Sequence, residues 1–326
     1  MEIFKPSVLQ QQAGVVLDSA AYPPKKLVLI HTSVALGASL LTTALNFFLS
    51  QQIAQTGGLS GMGLRSILST IQSVMELGVT VALPFWEMGL IFAALCWINS
   101  QQAAPQSLLQ GFRRFGAVLA LQLMQGFLFF MIAIGILYLS IMLFMFSPLS
   151  ASLMQIMEPV LQDLSVLQQM PVFTDEQMAA INQAILPMFV IFGVLYLLVA
   201  LPLFYRLRFT GYSLMEGTNA LYAMVHSMRV TKNHVFHLIR LDLHFWWFYL
   251  LQAVGLVLCF GDVLLTRIGI ELPFSNNTAF FLFYILGALV QWLLLWQYQG
   301  KVRATYALAY KSFWQKPPTP REQNLP

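Results

Sequence analysis

Few side chains in this sequence carry chemistry, and most of those lie inside apolar runs. Glu76 and Glu87 sit in a stretch, 68–98, that otherwise reads as one apolar helix. An ionised carboxylate is costly in hydrocarbon, so each must be paired, protonated or turned toward water. The eleven residues between them correspond to about 20° around a continuous helix and about 16 Å along it. The two could line one face of a ligand path, and Pro84 between them is the residue that would bend that face.

An offset of 118 aligns Val81-Ala82-Leu83-Pro84 with Val199-Ala200-Leu201-Pro202, and it sets Glu87 against Tyr205, one residue before Arg206. A carboxylate and a guanidinium at similar depth on related helices suit a bidentate pair. Glu87 and Arg206 are therefore expected as a structural ion pair that neutralises two charges near the interface. Glu76 has no evident cation partner and is the stronger candidate for a ligand path.

No other constellation completes a site. His234, His237 and His244 fall within about 80° of one helical face. Only the first two have the spacing of a zinc-binding pair, and no Cys or Glu joins them. Interfacial histidines beside Trp246 and Trp247 are the simpler reading. Cys96 and Cys259 lie in apolar runs and read as small hydrophobes. Gly57, Gly58, Gly61 and Gly63 lack the Gly-Lys-Ser/Thr ending of a phosphate loop and read as an outer turn. With no nucleophile-base pair, metal set or nucleotide loop, the chain is expected not to be an enzyme and to take no cofactor, metal or nucleic acid.

The elements that position these residues belong to a membrane protein. Apolar residues make 58% of the 326, and charged residues only 9%, against roughly 25% in a soluble domain. Such a chain cannot cover a water-facing surface, and its apolar residues gather into runs long enough to cross hydrocarbon. The expected fold is all-α: a polytopic bundle of six transmembrane helices near 28–50, 68–98, 115–147, 184–205, 243–262 and 278–298. The second and third exceed the bilayer, so they must tilt, bend or project, with Pro84 and Pro148 as places for a bend or an end. Of the 17 Lys and Arg, only Arg65 and Arg267 fall on one side of this arrangement. Both termini are therefore expected in the cytoplasm.

Residues 1–26 read as a cytoplasmic amphipathic lead, 27–300 as the transmembrane domain, and 301–326 as a basic cytoplasmic tail. An outside amphipathic insertion covers 147–182, where Leu153, Ile156, Met157, Val160, Leu161 and Leu164 recur at helical spacing. Thr174-Asp175-Glu176-Gln177 follows as a capping box. The insertion reads as an interfacial cover, with a substrate lid as the other role. Asn276-Asn277-Thr278 is a glycosylation sequon in form. Two amphipathic stretches, 106–112 and 219–228, each lead to a basic turn, and the 118 offset sets Arg114 on Lys232. Helices two and three are thus expected to repeat as helices four and five, parallel about an axis along the membrane normal. Convergent helix grammar is the alternative. The basic turns suit anionic lipid or a membrane-protein partner.

Leu83-Pro84-Phe85-Trp86 with Gly89, Leu-Leu-Gln-Gly-Phe-Arg-Arg-Phe at 108–115, the Tyr-Arg-Leu-Arg core of 202–212, and Leu241-Asp242-Leu243-His244-Phe245-Trp246-Trp247 are stretches that look like the motifs of one family. In these, over most of the chain, the sequence resembles the bacterial multi-pass proteins grouped as domain-of-unknown-function 975. The resemblance implies a bacterial inner-membrane protein and no established activity. Related sequences pass quickly from the third helix to the fourth, whereas this one carries the long outer segment. The function expected is non-enzymatic binding or transport of a hydrophobic or small ionic ligand. The alternative is a membrane scaffold or assembly partner of another membrane protein.

Overall fold

The structure, a computed structural model, describes residues 5–55, 62–148, 150–151, 175–267 and 276–314. Thr174 of the capping box, the glycines at 57, 58 and 61, and most of the 147–182 insertion lie outside these residues. The regular elements are helical. They are α1 (Pro6–Asp18), α2 (Pro24–Gln55), α3 (Met62–Ile98), a 3-10 turn (Pro105–Leu109), α4 (Gln110–Arg113), α5 (Phe115–Met145) and α6 (Asp175–Arg206). After these come α7 (Thr210–Met215), α8 (Ala220–Thr231), α9 (Val235–His244), α10 (Trp246–Cys259), α11 (Gly261–Arg267) and α12 (Asn276–Trp314).

Among the described residues, α2, α3, α5, α6 and α12 are each long and apolar enough to cross a membrane, and α9 with α10 would make a sixth span bent by 65°. The chain is an all-α, multi-pass membrane protein. Pro84 neither ends nor splits α3, and α6 contains both Pro187 and Pro202. The fifth span differs most from expectation. It breaks at Phe245, so α10 has only 14 residues, about 21 Å of helix against a hydrocarbon layer of about 30 Å.

The last helix also overturns a boundary. The sequence pattern ends the span at 298 and starts a tail at 301, yet α12 runs on to Trp314. Val302, Ala304, Thr305, Tyr306, Ala307, Ala309, Tyr310 and Phe313 in this extension are all buried. Its 39 residues measure about 58 Å, nearly twice the hydrocarbon layer. The second half therefore belongs to a protein core outside the membrane.

The chain forms two compact units, 1–121 with 208–326, and 122–207. This division cuts across both copies of the proposed repeat. Copy one gives α3 to the first unit and most of α5 to the second, while copy two gives α6 to the second and α9 and α10 to the first. The connectors differ too, being a 3-10 turn with a 4-residue helix in one copy and α7 with the 12-residue α8 in the other.

In the first unit α12 is the hub, packed on α10, α2, α1 and α3. Glycines permit the closest approaches, as small residues do between membrane helices. A Cβ on Gly287 of α12 would stand 2.6 Å from the Gly255 carbonyl oxygen of α10. Gly89 of α3 lies so close to the Leu108 carbonyl that a Cβ would overlap its oxygen, and Gly111 of α4 lies equally close to the carbonyl of Phe85. In the second unit, Phe129 of α5 and Tyr196, Ala200 and Phe204 of α6 line an apolar cleft of about 320 Å³.

Candidate functional site

Three clusters of polar side chains in the first unit involve α7, α8, α9 and the extension of α12. Glu87, on α3, accepts from Arg303 Nη2 at 2.5 Å and from Gln299 Nε2 at 3.5 Å. Gln299 and Arg303 are four apart on α12, one turn on the same face. His31 of α2 is 1% exposed, and its Nε2 stands 3.8 Å from the Glu87 carboxylate. Its ring stacks on Trp86, whose indole N–H donates to the His31 carbonyl at 2.9 Å. The cation that the structure places on Glu87 is thus Arg303, from the segment read as a tail. Arg206, the partner chosen from the sequence, closes α6 in the other unit.

A second cluster sits at the break in the fifth span. Asp242 of α9 accepts from the Tyr249 hydroxyl of α10 at 2.8 Å and from the Tyr306 hydroxyl of α12. Arg208 stands 3.7 Å from the same carboxylate, with its guanidinium over the Tyr306 ring at 4.5 Å. Tyr212 then donates to the Arg303 carbonyl at 3.2 Å, connecting this cluster to the first.

The third cluster is centred on Glu216, which accepts from Tyr310 at 2.8 Å and pairs with Lys311. His226 of α8 is buried against Trp314, ring centroids 4.0 Å apart, and stacks on Tyr222. Burial holds its imidazole below the ordinary pKa, outweighing the opposite pull of Glu216. The Arg114 guanidinium donates to the carbonyls of Leu214 and Thr218. It therefore fastens the turn before α5 to the loop after α7.

The histidine face also resolves into packing. His234 stacks on Phe313 at 4.4 Å and meets His237 edge-on at 5.6 Å, while His244 is exposed at the end of α9. No group of three His, Cys, Asp or Glu with metal-binding geometry occurs among the described residues. Cys96 and Cys259 are buried and free.

Glu76 lies in a different setting. It is exposed on α3, accepting from Asn46 of α2 at 2.8 Å and from Gln72 at 3.4 Å. Ser66, Ser69, Ser73, Glu76 and Thr80 repeat at alternating spacings of three and four, and all are exposed. That spacing keeps them on one stripe of the helix. The hydroxyls of Ser69 and Ser73 already donate to carbonyls of their own helix, leaving oxygen lone pairs as acceptors. Ile67, Val74 and Leu77 flank the stripe, each about 60% exposed. The Asn46 Oδ1 atom is buried and has no hydrogen-bond partner.

The two glutamates therefore differ in kind, one neutralised by its own chain and one displayed. Glu87→Gln and Arg303→Gln should each destabilise the protein in detergent, because each strands the other charge. A well-buried pair would lose 3–5 kcal/mol. With these side chains 38% and 29% exposed, about 2 kcal/mol is expected for each. The double variant should recover part of the loss, and strict additivity in a double-mutant cycle would show that the groups do not interact. Comparisons of the chain with family models, with curated proteins and with solved structures find no match.

Proposed function

We propose that this protein is a non-enzymatic assembly partner in a bacterial inner membrane, with both termini in the cytoplasm, and that the stripe of α3 around Glu76 receives a membrane-spanning helix of another protein. The observation that carries this reading is the exposed Glu76 with its polar neighbours inside an apolar span. In hydrocarbon a carboxyl group and a row of hydroxyl acceptors gain most by bonding to a second helix. The serines also let a partner backbone come close, and the flanking Ile67, Val74 and Leu77 give it apolar contact.

The test is a photo-reactive phenylalanine placed at Thr70 or at Ser73 in native membranes. Irradiation should give an adduct with one discrete protein, and Glu76→Leu combined with Ser69→Leu should abolish it. An adduct only with lipid, or one returning to residues 122–207 of the same chain, would remove the proposal.

The ligand-path reading retains one specific observation. The Glu76 carboxylate and the unpartnered Asn46 Oδ1 are oxygen acceptors on adjacent helices, groups of the kind that suit a small hard cation. On that reading sodium would stabilise the wild-type protein and not Glu76→Gln, and proteoliposomes would show a flux that the variant lacks.

A further inference from the structure

In the first unit, α1, the start of α2 and the later part of α12 line a half-open cavity of about 450 Å³. Leu9 and Ala13 are buried and seat α1 on the bundle, and the chain then turns back at 19–23 to begin α2 at Pro24. Gly300 lets α2 and α12 close on one side, since a Cβ there would stand 3.1 Å from Val28 Cγ2. Gly14 acts in the opposite sense. It also lines the cavity, and a Cβ on it would meet nothing within 4 Å. A glycine inside a helix weakens it, so this one trades helix stability for open space.

The lining combines two chemistries. Val28 and Trp296 bring apolar surface, and Lys25, Lys301, Asp18 and Gln297 bring polar groups to the same space. Lys25, Lys301 and Asp18 are exposed and take part in no ion pair among the described residues. Two lysines and one aspartate leave one positive charge, the complement of a phosphodiester. The space has the size of a small-molecule site, about 300–1,000 Å³, and exceeds an inorganic phosphate several-fold. Tryptophan and lysine side by side at the end of a span are also the residues that meet lipid headgroups.

We propose that this cavity binds one anionic glycerophospholipid with a hydroxylated headgroup. Its phosphodiester lies between the ammonium groups of Lys25 and Lys301. Asp18 and Gln297 accept from the headgroup hydroxyls, and Trp296 and Val28 take the glycerol ester region and the first methylenes of the chains. The shared chemistry, a phosphate ester of glycerol, also exists in soluble glycerol phosphate, so the test has one arm for each source.

The full chain is placed in nanodiscs of phosphatidylcholine and titrated with phosphatidylglycerol carrying a photo-reactive acyl chain. Saturable labelling of peptides containing Gly14, Lys25 or Trp296, at about one lipid per chain, is expected. Excess phosphatidylglycerol should suppress the labelling, and phosphatidylcholine or soluble glycerol phosphate should not. Lys25→Gln and Lys301→Gln should each weaken binding roughly fivefold. Gly14→Phe should weaken it at least tenfold with every charge in place and α1 still helical. Labelling spread evenly over the spans, equal competition by phosphatidylcholine, displacement by glycerol phosphate, or wild-type binding in Gly14→Phe would each overturn the proposal. The labelling map needs no variant, so a misfolded substitution leaves the test intact.

Discussion

Gly89→Ala is expected to cost the protein more than about 4 kcal/mol, a loss beyond what nearly all single substitutions produce. The new methyl group would overlap the carbonyl oxygen of Leu108, which is backbone and cannot swing aside. Leu108 is fully buried, so the 3-10 turn that carries it cannot lift without opening the core. Gly111 approaches the Phe85 carbonyl in the same way, one helical turn from Gly89 along α3, so the two contacts form a short zipper between α3 and its return. Thermal unfolding in detergent with size-exclusion profiles would measure the loss. Gly116→Ala is the control. Its Cβ meets nothing within 4 Å, so it should be neutral or stabilise by up to about 1 kcal/mol. Equal behaviour of the two variants would show that α3 and the 3-10 turn do not approach so closely.

The second large effect is expected at Asp242, where one carboxylate holds α9, α10 and α12 together across a 65° bend. Asp242→Asn keeps the shape, but it removes the negative charge facing Arg208 and leaves a weaker acceptor for two tyrosine hydroxyls. The side chain is only 16% exposed, so a loss of about 3 kcal/mol is expected. Tyr249→Phe removes a single hydrogen bond and should cost about 1 kcal/mol. Thermal unfolding of the two variants side by side would show the ratio. A loss at Asp242 no larger than that at Tyr249 would mean the Arg208 charge is satisfied without this carboxylate.

These two sites show what could be read in the sequence and what could not. The long spans follow from runs of apolar residues, which hydrocarbon requires whatever the tertiary structure, and α2, α3, α5 and α6 lie near their expected places. The break at Phe245 left no such trace. The stretch Leu241-Asp242-Leu243-His244-Phe245-Trp246-Trp247 contains neither Pro nor Gly, and the residue that grips Asp242 from α12, Tyr306, is 64 positions away. The partner of Glu87 was missed for a different reason. Lys301, Arg303 and Lys311 lower the local hydropathy, so the segment looked like a tail. However, Val302, Tyr306, Ala309, Tyr310 and Phe313 repeat at helical spacing there and were a legible signal of a buried face. Glu76 was singled out for want of an evident cation, and its partners among the described residues are Asn46 and Gln72, but periodicity alone could not show which side of α3 its neighbours Ser69 and Ser73 present.

The length and centrality of α12 also constrain how the protein can be made. A ribosome releases α1, α2, α3 and α10 before the helix on which all four pack. Helix α1 precedes it by about 250 residues, an interval of tens of seconds at about 5–20 residues per second. During that time α1 must keep its apolar face covered elsewhere, and the membrane surface beside the translocon is the nearest cover. The first unit can close only after α12 arrives, so its assembly is a late, concerted event and not a stepwise addition of spans. A nascent chain stalled before Tyr306 would already hold its earlier spans in the bilayer while lacking the residues that join them.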